Sequence, residues 1–262
     1  MRTRQVIDHI VCWFDDYIGR SGLNGFVVGI SGGIDSAVTS TLAAKTGHPV
    51  FVLEMPIHQN IDQVTRAQEH IRFLKARFTQ VEALRLDLTF VFDVLCKSIK
   101  SSESRNLNTD LALANTRARL RMSVLYYYAG LYGYLVTGTG NKIEDFGVGF
   151  FTKYGDGGVD ISPIADLTKT EVRQLAEVLE VPASIRKAKP TDGLWEDDRS
   201  DEDQLGASYE DLEWAMDMVE KGYSPKSFEG SQRELIEKYL KLHQASQHKI
   251  SPIPVCKIPG SF

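Results

Sequence analysis

The run Gly25-Phe26-Val27-Val28-Gly29-Ile30 passes straight into Ser31-Gly32-Gly33-Ile34-Asp35-Ser36, and Ala37 to Lys45 then reads as a helix stopped at Gly47. A short β-branched apolar run of this kind reads as a buried strand. Two glycines let the turn approach a ligand closely and adopt positive φ. A helix that follows such a turn points its free N–H groups and its positive dipole end at the loop. Strand, turn and helix together make a phosphate cradle, to which Ser31 and Ser36 add hydroxyl donors. It is not a Walker A loop, because no Gly-Lys-Ser/Thr follows. Where that lysine would stand there is a carboxylate, Asp35, which makes sense beside a polyphosphate if it holds Mg²⁺. The plain alternative is a strand-to-helix turn capped by serine.

The rest of the chain repeats the alternation. Ile7, Ile10, Val11, Phe14 and Ile18 recur at helical spacing, so the chain opens with a helix. Val50 to Met55, Ala83 to Leu88 and Tyr134 to Gly138 read as further strands. Ile61 to Phe78, Phe90 to Ser98 and Leu111 to Tyr128 read as helices. Lys100 to Ser104 is a polar breaker segment, expected as a mobile loop. Thr168-Lys169-Thr170-Glu171 has the spacing of a capping box. Beyond it the pattern is helix and loop, ending in a proline-rich stretch from Ile250 to Pro259. Strands alternating with helices predict an α/β fold, a parallel sheet with helices on both faces and ligands at the carboxyl ends of the strands. A length of 262 residues suits a single domain over 1–262.

Composition narrows the functional classes. Thirty basic against 35 acidic residues leave a net charge of −5, which argues against a nucleic-acid-coating protein. No apolar run approaches the roughly 18 residues of a membrane span. Three cysteines without a CxxC exclude a disulfide scaffold or a Cys-rich metal site, so reduced thiols in a cytoplasmic protein are expected. The six histidines are scattered and form no HExxH spacing.

Four later segments carry chemistry. In Asn115-Thr116-Arg117-Ala118-Arg119-Leu120-Arg121-Met122, helical spacing puts Asn115, Arg119 and Met122 on one face and Arg117 and Arg121 on another. Guanidinium groups there pair with carboxylates or phosphates, or form a solvated face. Gly138-Thr139-Gly140-Asn141-Lys142-Ile143-Glu144-Asp145 follows the fourth strand and ends in two acids. Gly149 to Asp160 sets Lys153 among Phe150, Phe151, Tyr154 and several glycines, a combination ordinary loops rarely show. Lys187-Ala188-Lys189-Pro190-Thr191 precedes an acidic run, Glu196 to Asp203, expected as a solvated lid segment. Lys187 and Lys189 either meet phosphate or are solvated.

The loop Ser31–Ser36 resembles the signature of the N-type ATP pyrophosphatases, whose fold is adenine-nucleotide alpha-hydrolase-like. The four later segments resemble the NAD synthetases within that group. The resemblance runs from about Gly25 to Lys249 and implies a ligase of NAD biosynthesis, with ATP as co-substrate and Mg²⁺ as cofactor. Deamido-NAD would be amidated through an acyl-adenylate, releasing AMP and pyrophosphate. It implies that Gly29, Ile30, Ser31, Gly32, Gly33, Ile34, Asp35, Ser36, Thr139, Lys169 and Thr191 bind ATP. Arg119, Lys153, Asp160, His248 and Lys249 would bind deamido-NAD. Asp35 and Lys169 would act catalytically, and Asp35 and Glu144 would hold the metal. The spacing after Glu144 is one residue longer than in some relatives, which makes Asp145 a rival for the metal role. Family members usually form homodimers, and the aromatic Tyr126-Tyr127-Tyr128 lies either at such an interface or in the core. Glutamine-dependent relatives carry an extra amidase domain for which this length leaves no room, so ammonia is the expected nitrogen donor. A tRNA-modifying adenylating enzyme and a nucleotide sensor without turnover are the rivals. The acidic charge and missing CxxC count against the first, and the retained Asp35 and Glu144 against the second.

Overall fold

The computed structural model describes residues 1–99, 107–191 and 200–260, so the segment Lys100 to Ser104 and the first half of the acidic run lie outside the described residues. The chain begins with α1 (Thr3–Ser21), β1 (Phe26–Gly29), α2 (Ile34–Lys45), β2 (Val50–Glu54), α3 (Ile61–Arg77), β3 (Val81–Arg85) and α4 (Thr89–Ile99). It continues with α5 (Leu107–Tyr132), β4 (Leu135–Val136), a π-helical turn (Ile143–Val148), α6 (Lys169–Val178) and α7 (Ala183–Arg186). After these come α8 (Asp201–Leu205), α9 (Tyr209–Glu220) and α10 (Gly230–Ile250).

The four strands are parallel, in the order β3-β2-β1-β4. Alternation along β1 decides what covers each face. Phe26 and Val28 pack with Phe14 of α1, Val38 and Leu42 of α2 and Leu175 of α6. Val27 faces the other way, with Leu53, Phe92 of α4 and the α5 residues Leu125 and Tyr128. The sheet therefore has helices on both faces, as the alternation predicts. A third apolar cluster joins the π-helical turn to α8, α9 and α10. Among the described residues no helix is long and apolar enough to cross a membrane.

The chain winds outward from β1 through β2 to β3 and then returns to lay β4 on the other side of β1. The carboxyl ends of β1 and β4 thus flank the point where strand order reverses, and open α/β sheets bind ligands in that crevice.

Several boundaries differ from the sequence reading. Helix α2 starts at Ile34 rather than Ala37, because extended Gly33 hands over to it directly (φ −93°, ψ 164°), and this puts Asp35 and Ser36 in its first turn. Strand β3 ends at Arg85, although Leu86 and Leu88 still donate to the carbonyls of Glu54 and Pro56 at 2.9 Å. Strand β4 is only two residues long and is prolonged by a bridge between Thr137 and Ile161. The tyrosine triplet divides: Tyr128 packs on Phe51 in the core at 5.0 Å, while Tyr127 is 65% exposed.

Candidate active site

The loop after β1 is shaped by its own hydroxyls. Ser36 Oγ donates to the Gly33 carbonyl (3.0 Å) and accepts from the Ser31 amide (3.3 Å), while the Gly33 amide donates to Ser31 Oγ (3.1 Å). The two serines expected as ligand donors are therefore engaged in closing the turn. The first-turn amides of Ile34, Asp35 and Ser36, which have no carbonyl partner within a helix, are what the turn presents. Gly32 has φ +83°, and a Cβ built there would stand 2.4 Å from the Gln63 carbonyl oxygen of α3. Ile30 is buried in the core, so it offers the site only backbone.

Behind the loop, Ser40 Oγ donates to the Ser36 carbonyl (2.7 Å) and lies 2.8 Å from Nε2 of fully buried His70. His70 Nδ1 has no hydrogen-bond partner, so the neutral ring donates from Nε2 to Ser40. Burial lowers the His70 pKa from 6.5 to about 4. The unfolded chain takes up a proton near pH 6.5 that the folded chain refuses until about pH 4. Stability is thus full above 6.5 and is lost as the pH falls through that window, by about 3 kcal/mol. Urea titrations between pH 7 and pH 4 should show this loss in the wild type and not in His70→Gln. Equal slopes would remove His70 as its source.

The charged centre lies where the loop meets the end of β4. Lys169 Nζ, 2% exposed as a residue, donates to Asp35 Oδ2 (2.6 Å) and Glu144 Oε1 (3.1 Å). Asn141 Nδ2 donates to Asp35 Oδ1 (3.1 Å), and the buried Tyr209 hydroxyl donates to Glu144 Oε1 (2.6 Å). Lys169 is the first residue of α6, behind a complete Thr168–Glu171 capping box. A cation at the positive end of a helix is locally unfavourable, so the carboxylates must hold it there. Burial by itself would lower the Lys169 pKa. The charges of Asp35 and Glu144 outweigh burial and leave it raised. Glu144 is raised by burial against the opposing charge of Lys169. Burial, then the charges of Glu144, Asp156 and Asp35, push Asp145 up to about 8.

This donor set fits Mg²⁺. The ammonium of Lys169 already stands as a cation between two hard-oxygen ligands. Mg²⁺ commonly takes one or two carboxylates and completes its shell with substrate phosphates and water. Among the described residues no three His, Cys, Asp or Glu side chains are gathered as a ready-made metal site.

A cavity of about 270 Å³ joins these parts. Gly29, the loop to Ser36, Thr139, Glu144, Asp145, Lys169 and Thr191 all line it. Lys189 lines it too, whereas Lys187 does not. A second cavity, of about 290 Å³, opens on the far side of Phe150 and Phe151 and is lined by Arg119, Lys153, His248 and Lys249. Its lysines are partly engaged with backbone. Lys153 Nζ donates to the His248 carbonyl, and Lys249 Nζ to the carbonyls of Gly149 and Phe151. Arg119 donates to the Lys153 carbonyl at 3.2 Å. Asp160 is not brought to either cavity. It accepts from the Tyr126 hydroxyl (3.0 Å) and the Val136 amide (2.8 Å), fixing the end of β4 instead.

Three contributors had no site role from the sequence. Arg121 donates to the Met55 carbonyl and Gln59 Oε1, both at 2.9 Å, and so anchors the wall after β2. Tyr209 looks like one more apolar residue of an amphipathic helix. Asp201 belongs to the acidic run expected to be solvated, yet it is 5% exposed, lines the first cavity and lies 3.2 Å from the Tyr209 hydroxyl. The three arginines of α5 were the only signal that pointed near any of them.

Residues 6–253 match the family model described as NAD synthase. The NH(3)-dependent NAD(+) synthetase of Methanosarcina mazei is 37% identical over 253 residues, covering 95% of this chain and 96% of that relative. The enzyme of the same description from Alkaliphilus metalliredigens is 37% identical over 97% of this chain and 99% of its own. Among solved structures, an NMN synthetase from Francisella tularensis superposes with a TM-score of 0.85 at 31% identity, covering 98% of this chain and 100% of that one. An NH3-dependent NAD synthetase from Campylobacter jejuni gives 0.78 at 26% identity, with 98% and 100% coverage.

Proposed function

The chain belongs to the NAD synthase family, and we propose that the cavity between the carboxyl ends of β1 and β4 is where it converts deamido-NAD to NAD, with ATP as co-substrate and ammonia as nitrogen donor. The observation that carries this reading is the Lys169 bridge between Asp35 and Glu144, set against the amides of the Ser31–Ser36 turn.

A free carboxylate resists attack by ammonia, so it must first be activated. The nicotinate oxygen attacks the α-phosphorus of ATP, the bond to pyrophosphate breaks, and an acyl-adenylate forms. Ammonia then attacks the acyl carbon and AMP leaves with the shared oxygen. The protein contributes position and charge. The turn's amides and the Lys169 ammonium receive the phosphates, and Thr139 and Thr191 border the nucleotide. Asp35 and Glu144 would hold Mg²⁺, which offsets the charge of the leaving pyrophosphate. Arg119, Lys153, His248 and Lys249 frame the acceptor's cavity. Asp160 supports the end of β4 from outside the cavity, held by the Tyr126 hydroxyl and the Val136 amide.

We treat 1–262 as one NAD synthetase domain, in keeping with the match over residues 6–253. A homodimer is supported by apolar side chains left open on α4 and α5, among them Phe90 (77% exposed), Tyr127 (65%) and Leu131 (57%). A cytoplasmic location accords with three free cysteines.

The test is an end-point assay with ATP, Mg²⁺ and deamido-NAD, supplied with ammonium or glutamine. NAD and AMP should appear with ammonium alone. ATP binding without AMP in either case would sink the reading in favour of a sensor. The Francisella neighbour is described as an NMN synthetase, so nicotinic acid mononucleotide belongs in a parallel arm as the second acceptor. Lys153→Ala should raise KM for the dinucleotide about tenfold, the worth of one charge-assisted hydrogen bond, and leave KM for ATP unchanged. The reverse pattern would move Lys153 to the nucleotide.

A further inference from the structure

We propose that Arg66 and Arg186 together form the seat of the outer two phosphates of ATP, and of the pyrophosphate that those phosphates become. The proposal rests on the reading above that ATP binds in the first cavity as co-substrate.

The first observation is a shortage of unmatched positive charge. A polyphosphate is held by cations that are not already paired. Lys169 lines the cavity, but its ammonium is shared between Asp35 and Glu144, two acids against one base. Four arginines line the same cavity, Arg66, Arg121, Arg173 and Arg186. Two of them are engaged elsewhere. Arg121 holds the Met55 carbonyl and Gln59, and Arg173 donates to the Glu210 carboxylate at 2.5 Å.

The second observation is what the other two share. Arg66 Nε donates to the Gly32 carbonyl at 3.2 Å, and Arg186 Nε donates to the Val181 carbonyl at 2.9 Å. Among the described residues neither guanidinium has an ion pair, and neither has a hydrogen bond at its terminal nitrogens. A guanidinium is a rigid, planar set of N–H donors that matches phosphate oxygens in pairs. With Nε tethered to a backbone carbonyl, the plane is held and both terminal amino groups remain to donate. Holding the group in advance reduces the ordering cost when the anion arrives.

The third observation is how the two are brought to one cavity. Arg66 lies on α3 and Arg186 ends α7. Glu69, one turn along α3 from Arg66, accepts from the Ser184 hydroxyl of α7 at 2.5 Å instead of pairing with Arg66. Arg77 at the end of α3 pairs with Glu180, just ahead of α7, at 2.7 Å. The two elements are clasped, and each presents one arginine to the cavity. Gly32 belongs to the turn whose amides face the cavity, so the Arg66 tether also joins this seat to that turn.

The chemistry follows from the place. When the nicotinate oxygen attacks the α-phosphorus, the bond from that phosphorus to the bridging oxygen breaks, and the electron pair leaves with pyrophosphate. Two guanidinium groups at the outer oxygens stabilise the charge that develops there.

The test titrates the full chain calorimetrically, in Mg²⁺ buffer, with inorganic pyrophosphate, ATP and AMP. Arg66→Gln and Arg186→Gln should each weaken pyrophosphate and ATP about tenfold or more, the worth of one hydrogen bond between charged groups, and leave AMP unchanged. KM for deamido-NAD should keep its wild-type value in both. Arg186 is exposed at the end of a short helix, so its replacement does not threaten folding. Wild-type pyrophosphate affinity in either variant overturns the paired seat, and ATP binding by the wild type then leaves the proposed function standing. Equal weakening of AMP and pyrophosphate by Arg66→Gln also overturns it, because the tether to Gly32 would then act only by shaping the turn. A wild-type chain that binds neither pyrophosphate nor ATP overturns the nucleotide reading itself.

Discussion

Lys169→Met should lose amidation by at least about two orders of magnitude and unfold more readily than the wild type. The two losses have one source. Among the described residues the ammonium is the ion-pair partner of both Asp35 and Glu144, whose side chains are 16% and 15% exposed. Removing one partner of a buried ion pair costs about 3–5 kcal/mol, because the remaining charges are left uncompensated. In the proposed reading the same ammonium would be the fixed cation of the phosphate site once ATP is bound. The Lys169 pKa is raised in the folded chain, so its contribution is complete below the unfolded lysine value and fades only in strong alkali. At pH 7–8 the deficit of the variant should therefore be full. It should shrink on acidification, as Glu144, raised by burial, accepts a proton in the variant. Denaturant midpoints at pH 8 and pH 5, read beside NAD formation, check both parts. A variant of wild-type stability at pH 8 would mean that the ion pair contributes nothing to folding.

Gly32→Ala should be nearly as damaging to catalysis. Its φ of +83° is a conformation that costs an L-residue about 1–2 kcal/mol, and the new methyl would collide with the Gln63 carbonyl oxygen of α3 at 2.4 Å. That neighbour is backbone, so the loop must yield instead of the side chain. A displacement of about 1 Å at a positioning element can cost 10²-fold, and kcat/KM for ATP should fall by about that factor. Titration calorimetry should show the matching loss of ATP affinity. Unchanged ATP binding would remove the loop from the phosphate site.

Much of the scaffold was legible because each strand–helix unit has its own period and its own punctuation. The strand–Gly–Gly–helix unit, the capping box at Thr168 and the parallel sheet are local statements, and the chain obeys them. What stayed hidden depends on partners distant in sequence. Whether Ser31 and Ser36 face a ligand or each other is set by how tightly the turn closes. Asp160 resembles a substrate contact in its motif, yet a tyrosine of α5 and an amide of β4 claim it. Tyr209 sits at an apolar position of α9, and only the fold reveals the carboxylates at its hydroxyl. Glu144 and Asp145 were rivals because of the longer spacing after Glu144, and in the fold both line the cavity.

The way β4 returns to lie beside β1 also bears on how the molecule matures. Asp35 meets Asn141 across 106 residues and Lys169 across 134. Closing spans of that length is entropically slow and comes late relative to neighbouring contacts. The β1–α2 unit can take shape early during synthesis, but Asp35 then lacks its counter-charge until α6 emerges and docks. Charge balance at Asp35 is thus a property of the finished chain.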